Sequence, residues 1–134
     1  MKKAYICSPY RAEGKEELKK NRLYARHLTQ KALMAGIAPI TPHLYMTQCL
    51  NESIAGQRAI GLAAGMELLR SCDFVIVGAK RGISEGMSAE IAEAERLGLD
   101  VVNADKLGIY LMERKIIEQR GFGKWRIQTE DIEQ

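Results

Sequence analysis

The sequence predicts an α/β protein with a doubly wound, parallel sheet of four to five strands and helices on both faces. Short apolar runs alternate with longer amphipathic stretches along the chain. The apolar runs show no in–out alternation, which is typical of parallel strands covered on both faces. The 134 residues, 46% hydrophobic and 28% charged, have the size and composition of one globular domain. We therefore treat residues 1–134 as a single domain.

Four short apolar segments are predicted as strands. The third is the strongest, because its sequence DFVIVGA is rich in β-branched residues, and the second is the weakest, because it contains Pro39. The first is followed directly by Ser8 and Pro9, which end it. In chain order, the four segments are residues 4–7, 36–40, 73–79 and 99–104.

Four longer segments carry apolar residues at helical spacing. Gly36 and Gly98 are expected to end the first and third of them. Residues 121–134 are expected to add an edge strand or to pack Trp125 on the body. Alternating strands and helices imply right-handed βαβ units, in which ligands bind beyond the carboxyl ends of the strands. The predicted helices are residues 14–35, 54–71, 85–97 and 106–120.

The charge distribution excludes several classes of protein. A net charge of +3 is too small to indicate a nucleic-acid partner, and the basic first helix also contains glutamates. Residues 32–51 carry no charge and are long enough to span a bilayer, but two prolines, a histidine and several amides and hydroxyls exclude a membrane span. The N-terminus lacks the apolar core of a signal peptide, so we expect a cytoplasmic protein.

Cysteine and histidine usage argues against cofactors. The three cysteines form no CxxC pair, so we expect neither a disulfide framework nor a zinc site, but buried or half-buried free thiols. Two histidines are too few for a multi-histidine metal site. No metal or redox cofactor is predicted.

The loops after the first two strands contain candidate ligand contacts. Ser8, Tyr10 and Arg11 form either a ligand loop with a cation for an anionic group, or a simple turn with a solvated arginine. His43 follows the second strand, where a lone histidine is more often structural than catalytic. The uncharged loop with Tyr45 could be a wall for a nucleobase, or equally a packing or oligomer contact.

The segment after the third strand is the most informative. A helix begins near Ser84 and Gly86, and its free N–H groups suit an anion such as phosphate. At about 100° per residue, Glu90 falls inside the apolar arc of that helix, which includes Met87 and Ala94. A carboxylate there needs either a function or a structural partner such as an arginine. Asp73, before the third strand, either anchors a helix end or reaches the cleft.

Four motifs together resemble the nucleoside 2-deoxyribosyltransferase superfamily, in particular its small bacterial and phage members. They are YICSPY, Asn21 in the first helix, CDFVIVG, and S-x-G-M-x-x-E at the helix that follows. The resemblance covers about residues 3–103. It implies a flavodoxin-like Rossmannoid fold and an activity on N-glycosidic bonds of nucleosides or their 5′-monophosphates.

The resemblance also implies roles for individual residues. Glu90 matches the catalytic nucleophile, four residues after Gly86, and Ser84 matches a serine that contacts phosphate in the monophosphate N-hydrolases. The ligand-contacting first loop maps to Ser8 and Tyr10. Asp73 and Met87, which lie within the matched motifs, complete the set of candidate substrate-binding residues.

One position departs from the superfamily pattern. Gly65 stands where the characterised enzymes carry an aspartate, with Glu67 nearby but out of register. This departure keeps a second class of function open, a nucleotide-binding or sensing module without turnover. A nucleoside-monophosphate phosphoribohydrolase is a weaker third interpretation, because the PGG turn is missing. Superfamily members commonly form oligomers, so we expect a homodimer or a larger homo-oligomer.

Overall fold

In the part of the chain that the structure describes, four parallel strands form one sheet in the order β2-β1-β3-β4. The computed structural model describes residues 1–120, so the expectation for the C-terminal segment lies outside the described residues. The strands are β1 (Lys3–Cys7), β2 (Ala38–Ile40), β3 (Phe74–Val77) and β4 (Asp100–Asn103). The predicted α/β architecture is confirmed, with all four strands within two residues of their predicted bounds.

Within the described residues, five α-helices connect and cover these strands. The four predicted ones are α1 (Lys15–Met34), α3 (Ala55–Arg70), α4 (Glu85–Arg96) and α5 (Leu107–Gln119). Gly36 and Gly98 have φ of 80° and 79°, the left-handed conformation that follows a helix end, as predicted. The structure adds a 3₁₀ turn (Pro42–Leu44), the short α2 (Met46–Cys49) and a second 3₁₀ turn (Ala104–Lys106). These pieces are too short to produce a helical pattern in sequence.

Each face of the sheet has its own core. Helices α1 and α5 cover one face and α3 and α4 cover the other. Along β1, Ala4 and Ile6 point to the first core, and Tyr5 and Cys7 point to the second. Tyr5 and Cys7 therefore lie side by side beneath α4.

The free thiols only partly follow the expectation from sequence. Cys7 and Cys72 are buried as predicted, but Cys49 is exposed, because the short α2 lies on the surface. Within residues 1–120, no helix combines the length and the apolar character needed to cross a membrane.

Candidate active site

The candidate site lies at the carboxyl ends of β1 and β3, where the order of the strands reverses. From β1 the chain moves outward to β2 and then returns across β1 to β3. The loops after β1 and β3 diverge to opposite faces of the sheet at this point, which leaves a crevice between them.

Glu90 lies on the side of α4 that faces β1. Its carboxylate accepts a short hydrogen bond at Oε2 from the Tyr5 hydroxyl, and the Cys7 thiol lies 3.6 Å from Oε1. Met87 and Ala94 of the same face are buried, and Glu90 itself is half-buried. The position inferred from the helical period is the one that the structure shows.

Burial dominates the electrostatics of this group. It raises the pKa of the Glu90 carboxyl from 4.5 to about 7, and the hydrogen bonds from Tyr5 and Cys7 oppose the rise. Burial, followed by the charge of Glu90, raises the pKa of the Tyr5 hydroxyl and of the Cys7 thiol above their ordinary values. Both donors therefore keep their protons near neutral pH, where the carboxyl of Glu90 is the group that titrates.

Gly65 of α3 approaches this cluster from the side. A Cβ atom at position 65 would lie 3.3 Å from the Tyr5 hydroxyl oxygen. Position 65, which the resemblance noted in the sequence aligns with an aspartate, is thus next to the Tyr5–Glu90 pair. Glu67 does not take its place, because its side chain is exposed and pairs with Arg70.

The N-terminus of α4 is capped by Ser84. Its hydroxyl accepts a hydrogen bond from the backbone N–H of Met87 at 3.2 Å, and Ser84 and Gly86 are both exposed at the crevice. The predicted substrate contact through Met87 is wrong. Its side chain is 1% exposed and belongs to the core under α4, where a ligand does not reach it.

A cavity of about 450 Å³ separates the loop after β1 from the loop after β3. This volume lies within the range of small-molecule sites. Two guanidinium groups, those of Arg11 and Arg81, contribute to its wall, together with two carboxylates and the capping serine. Its lining is Pro9, Arg11, Ala12, Glu13, Gly14, Glu17, Asn21, Arg81, Gly82, Ile83 and Ser84.

Asn21 joins the two loops beneath this cavity. Its Nδ2 donates to the carbonyl of Tyr10 at 3.1 Å, and its Oδ1 accepts from Nε of Arg81 at 2.8 Å. Arg81 also forms an ion pair with Glu17. We did not assign Asn21 to the site from sequence, although a buried amide on the apolar stripe of α1 is the same kind of signal that identified Glu90.

His43 and Tyr10 connect the loops after β2 and β1. Their rings stack with centroids 5.1 Å apart, and Nε2 of His43 lies 3.0 Å from the carbonyl of Ser8. Because a carbonyl only accepts, Nε2 carries the hydrogen and Nδ1 is left as an acceptor. Burial lowers the pKa of His43, which keeps the ring neutral. Tyr45, just beyond, is 47% exposed.

Ser8 and Asp73 differ in their relation to the site. The Ser8 hydroxyl is buried and has no hydrogen-bond partner among the described residues. Asp73 lies at the amino end of β3, the opposite edge of the sheet, where Oδ2 accepts from the backbone N–H of Lys3 at 2.8 Å. The predicted ligand contact through Asp73 is therefore wrong, and its carboxylate instead ties β3 to β1.

The structure thus gathers most of the predicted residues at one edge of the sheet. Ser8, Tyr10 and Arg11 follow β1, and His43 and Tyr45 follow β2. The N-cap and the first turns of α4 supply Ser84, Gly86 and Glu90. Sequence reasoning missed Tyr5, Cys7, Asn21 and Arg81 as members of the site.

Comparisons with known proteins define the relationships of this chain. A solved structure of a 2-deoxyribosyltransferase from the psychrotolerant bacterium Bacillus psychrosaccharolyticus is similar, with a TM-score of 0.61 and 16% identity over 75% of this chain and 70% of that one. At this identity the likeness shows the fold, and it confirms the predicted flavodoxin-like class. The search of curated proteins found no match. The family model of DUF7768, a domain of unknown function, matches residues 2–104, and the chain belongs to that family.

Proposed function

We propose that the protein cleaves or transfers the N-glycosidic bond of a (deoxy)nucleoside or its 5′-monophosphate, with Glu90 as the nucleophile. The observation that carries this proposal is the environment of the Glu90 carboxylate. It is half-buried at the switch crevice and has hydrogen-bond donors at both oxygens. Among residues 1–120 it forms no ion pair with a lysine or arginine, so the purely structural interpretation lacks its expected partner.

The chemistry follows the logic of retaining glycosidases. An oxygen of ionised Glu90 bonds to C1′ while the C1′–N bond breaks, and the electron pair of that bond leaves with the base, which takes a proton from water. Water, or the nitrogen of a second base, then attacks C1′ and releases the Glu90 carboxylate. With water, the products are the free base and the free sugar or sugar phosphate.

The surrounding groups suit such a substrate. Arg11 and the exposed N-terminus of α4 at Ser84 are available to a 5′-phosphate across the cavity. The stacked rings of Tyr10 and His43, with Tyr45 beyond them, offer an uncharged surface to the base. The fold shared with a 2-deoxyribosyltransferase supports the same assignment.

A non-catalytic nucleotide-binding module is the second candidate. Gly65 favours it, because this position supplies no carboxyl group beside the Tyr5–Glu90 pair. The same crevice and cavity would then bind the nucleotide without turnover.

One experiment separates the two candidates. A panel of deoxynucleosides, ribonucleosides and their 5′-monophosphates is incubated with the wild type, Glu90→Gln and Glu95→Gln, and free base is followed by chromatography. Glu95 is the matched control because it lies exposed on the same helix. Base release that is lost in Glu90→Gln and retained in Glu95→Gln supports the enzyme. Absence of release from every substrate, with ligand-induced thermal stabilisation in all three proteins, supports the binding module.

A further inference from the structure

Two side chains of β1 hold the two oxygens of Glu90 separately. The Tyr5 hydroxyl donates to Oε2, and the Cys7 thiol lies 3.6 Å from Oε1. The two donors are two residues apart, so the strand presents them on one face at a fixed separation. Both are almost fully buried, at 2% and 0% exposure, which fixes their orientation.

The two donors differ in strength. A thiol is a weak hydrogen-bond donor and a phenolic hydroxyl is a strong one. The Cys7 thiol also has a second acceptor, the carbonyl of Met87 at 3.8 Å, and its single hydrogen serves only one of the two at a time. Oε1 is therefore the less strongly held oxygen of Glu90, and its electron density is the more available to an electrophile.

We propose that Cys7 is a positioning residue, which orients the Glu90 carboxylate so that Oε1 is the attacking oxygen. This inference rests on the proposed function. A stronger donor at position 7 would hold the charge of Oε1 more tightly and reduce its nucleophilicity. Without a donor at that position, the carboxylate would be held through Oε2 alone and could turn about its last side-chain bond.

The contacts with Tyr5 and Cys7 determine the local environment of the Glu90 carboxylate, because the other ionisable groups nearby have other partners. Among the described residues, Tyr5 and Cys7 are the titratable groups that interact with Glu90. On the α3 side, the residue next to this cluster is Gly65. On α4 itself, Glu93 is engaged with Arg96 and Arg70. Cys72, which interacts with Tyr5, donates to the carbonyl of Leu68 at 3.4 Å.

The first test is a titration of Glu90 in the ligand-free protein by ¹³C NMR of the glutamate carboxyl carbons, assigned by loss of the signal in Glu90→Gln. We expect Cys7→Ser to lower the pKa of Glu90 by about half a unit or more, because a hydroxyl stabilises the charged form better. We expect Cys7→Ala to raise it by a similar amount. Cys72→Ala, the matched change of another buried thiol, should leave it within about 0.2 units.

The second test uses the proposed activity. The acidic limb of the kcat/KM profile should move in the same directions, and Cys7→Ser should lower kcat about fivefold or more while KM stays within about twofold. Thermal denaturation verifies that each variant is folded. If Cys7→Ser does not fold, Cys7→Ala still tests the role of Cys7.

The outcomes separate this inference from the proposed function. An unchanged Glu90 pKa in both folded Cys7 variants overturns the role of Cys7, whatever the activity. Absence of base release by the wild type overturns the proposed function and with it the attack by Oε1. The titration then decides whether Cys7 orients the carboxylate in a binding site.

Discussion

Gly65 of α3 faces the hydroxyl of Tyr5 so closely that a single added carbon at position 65 would lie 3.3 Å from its oxygen. Tyr5 is 2% exposed and hydrogen-bonded to Glu90, so it has little freedom to move aside. The absence of a side chain at position 65 is therefore part of how Tyr5 reaches Glu90.

Replacing Gly65 with alanine should disturb this contact. We expect Gly65→Ala to lower kcat about tenfold by displacing the Tyr5 hydroxyl, and to forgo the stability gain that alanine usually gives in a helix, about 1 kcal/mol. Gly56→Ala, in the first turn of the same helix, meets no atom within 4 Å and should keep full activity without a loss of stability. Urea denaturation and steady-state kinetics of the two variants check this. Equal behaviour would contradict it.

The pH dependence of activity should follow the ionisation of Glu90. Burial raises the pKa of this carboxyl to about 7, and the nucleophile acts in its charged form. We therefore expect kcat/KM to rise with pH, to reach half its maximum near pH 7 and to level off above pH 8. The measurement is kcat/KM between pH 5 and pH 9. A half-maximum near pH 4.5 would mean that the titrating carboxyl keeps the ordinary pKa of a glutamate, which would contradict the control of activity by a buried Glu90.

The same ionisation should make the wild type less stable as the pH rises. Between pH 4.5 and 7 the folded state binds more protons at Glu90 than the unfolded state, so the free energy of unfolding falls as pH increases. Allowing for partial solvent exposure, the charged carboxylate destabilises the fold by about 2 kcal/mol at pH 8. Glu90→Gln should be more stable than the wild type by that amount at pH 8 and equal to it near pH 4.5.

Urea denaturation at the two pH values tests this prediction. Glu95→Gln, which changes an exposed carboxylate of α4, should show no pH-dependent gain. A Glu90→Gln protein that is less stable than the wild type at pH 8 would indicate that the charge is stabilised rather than merely tolerated.

Asn21 should affect both stability and ligand binding, because it holds two loops together. Asn21→Leu removes both hydrogen bonds and leaves the carbonyl of Tyr10 and Nε of Arg81 without this partner. We expect a loss of about 2 kcal/mol in the free energy of unfolding and a severalfold rise in KM. Gln30→Ala, an exposed change on α1, should alter neither. An unchanged KM in Asn21→Leu would show that the loops keep their positions without it.

The expected homo-oligomer has a candidate contact on α3. Ile60 is 61% exposed there, near the middle of the helix. Light scattering after size exclusion should give a mass of at least two chains, and Ile60→Glu should reduce it to one. Met112→Glu on α5, where the side chain is 65% exposed, is the control. Dissociation by the α5 variant alone would assign the contact to the other face of the sheet.

Hydrophobic periodicity predicted the strands and the long helices, because burial on both faces of a parallel sheet leaves a clear pattern in the chain. It also located Glu90, because a carboxylate is not expected among the apolar residues of a buried helix face. Tyr5 and Cys7 were not predicted as members of the site, for the opposite reason. Both residues are ordinary in a buried strand, and their partner lies 85 and 83 residues away in sequence.

The errors have a common physical origin. Asp73 and Met87 stand close in sequence to site residues, but proximity along the chain does not say which end of a strand or which side of a helix a side chain occupies. Asp73 lies at the far edge of the sheet, and Met87 points into the core. Asn21 could have been found, since its amide interrupts the apolar stripe of α1.

The central position of β1 has a consequence for engineering. Tyr5 pairs in register with Ile40 on one side and Val75 on the other, so the strand is pinned along both edges. A slip by one residue, which would turn Tyr5 and Cys7 to the opposite core, would break two ladders at once. Residues 5 and 7 can thus be substituted together, because the register of the sheet keeps both positions facing the carboxylate of Glu90.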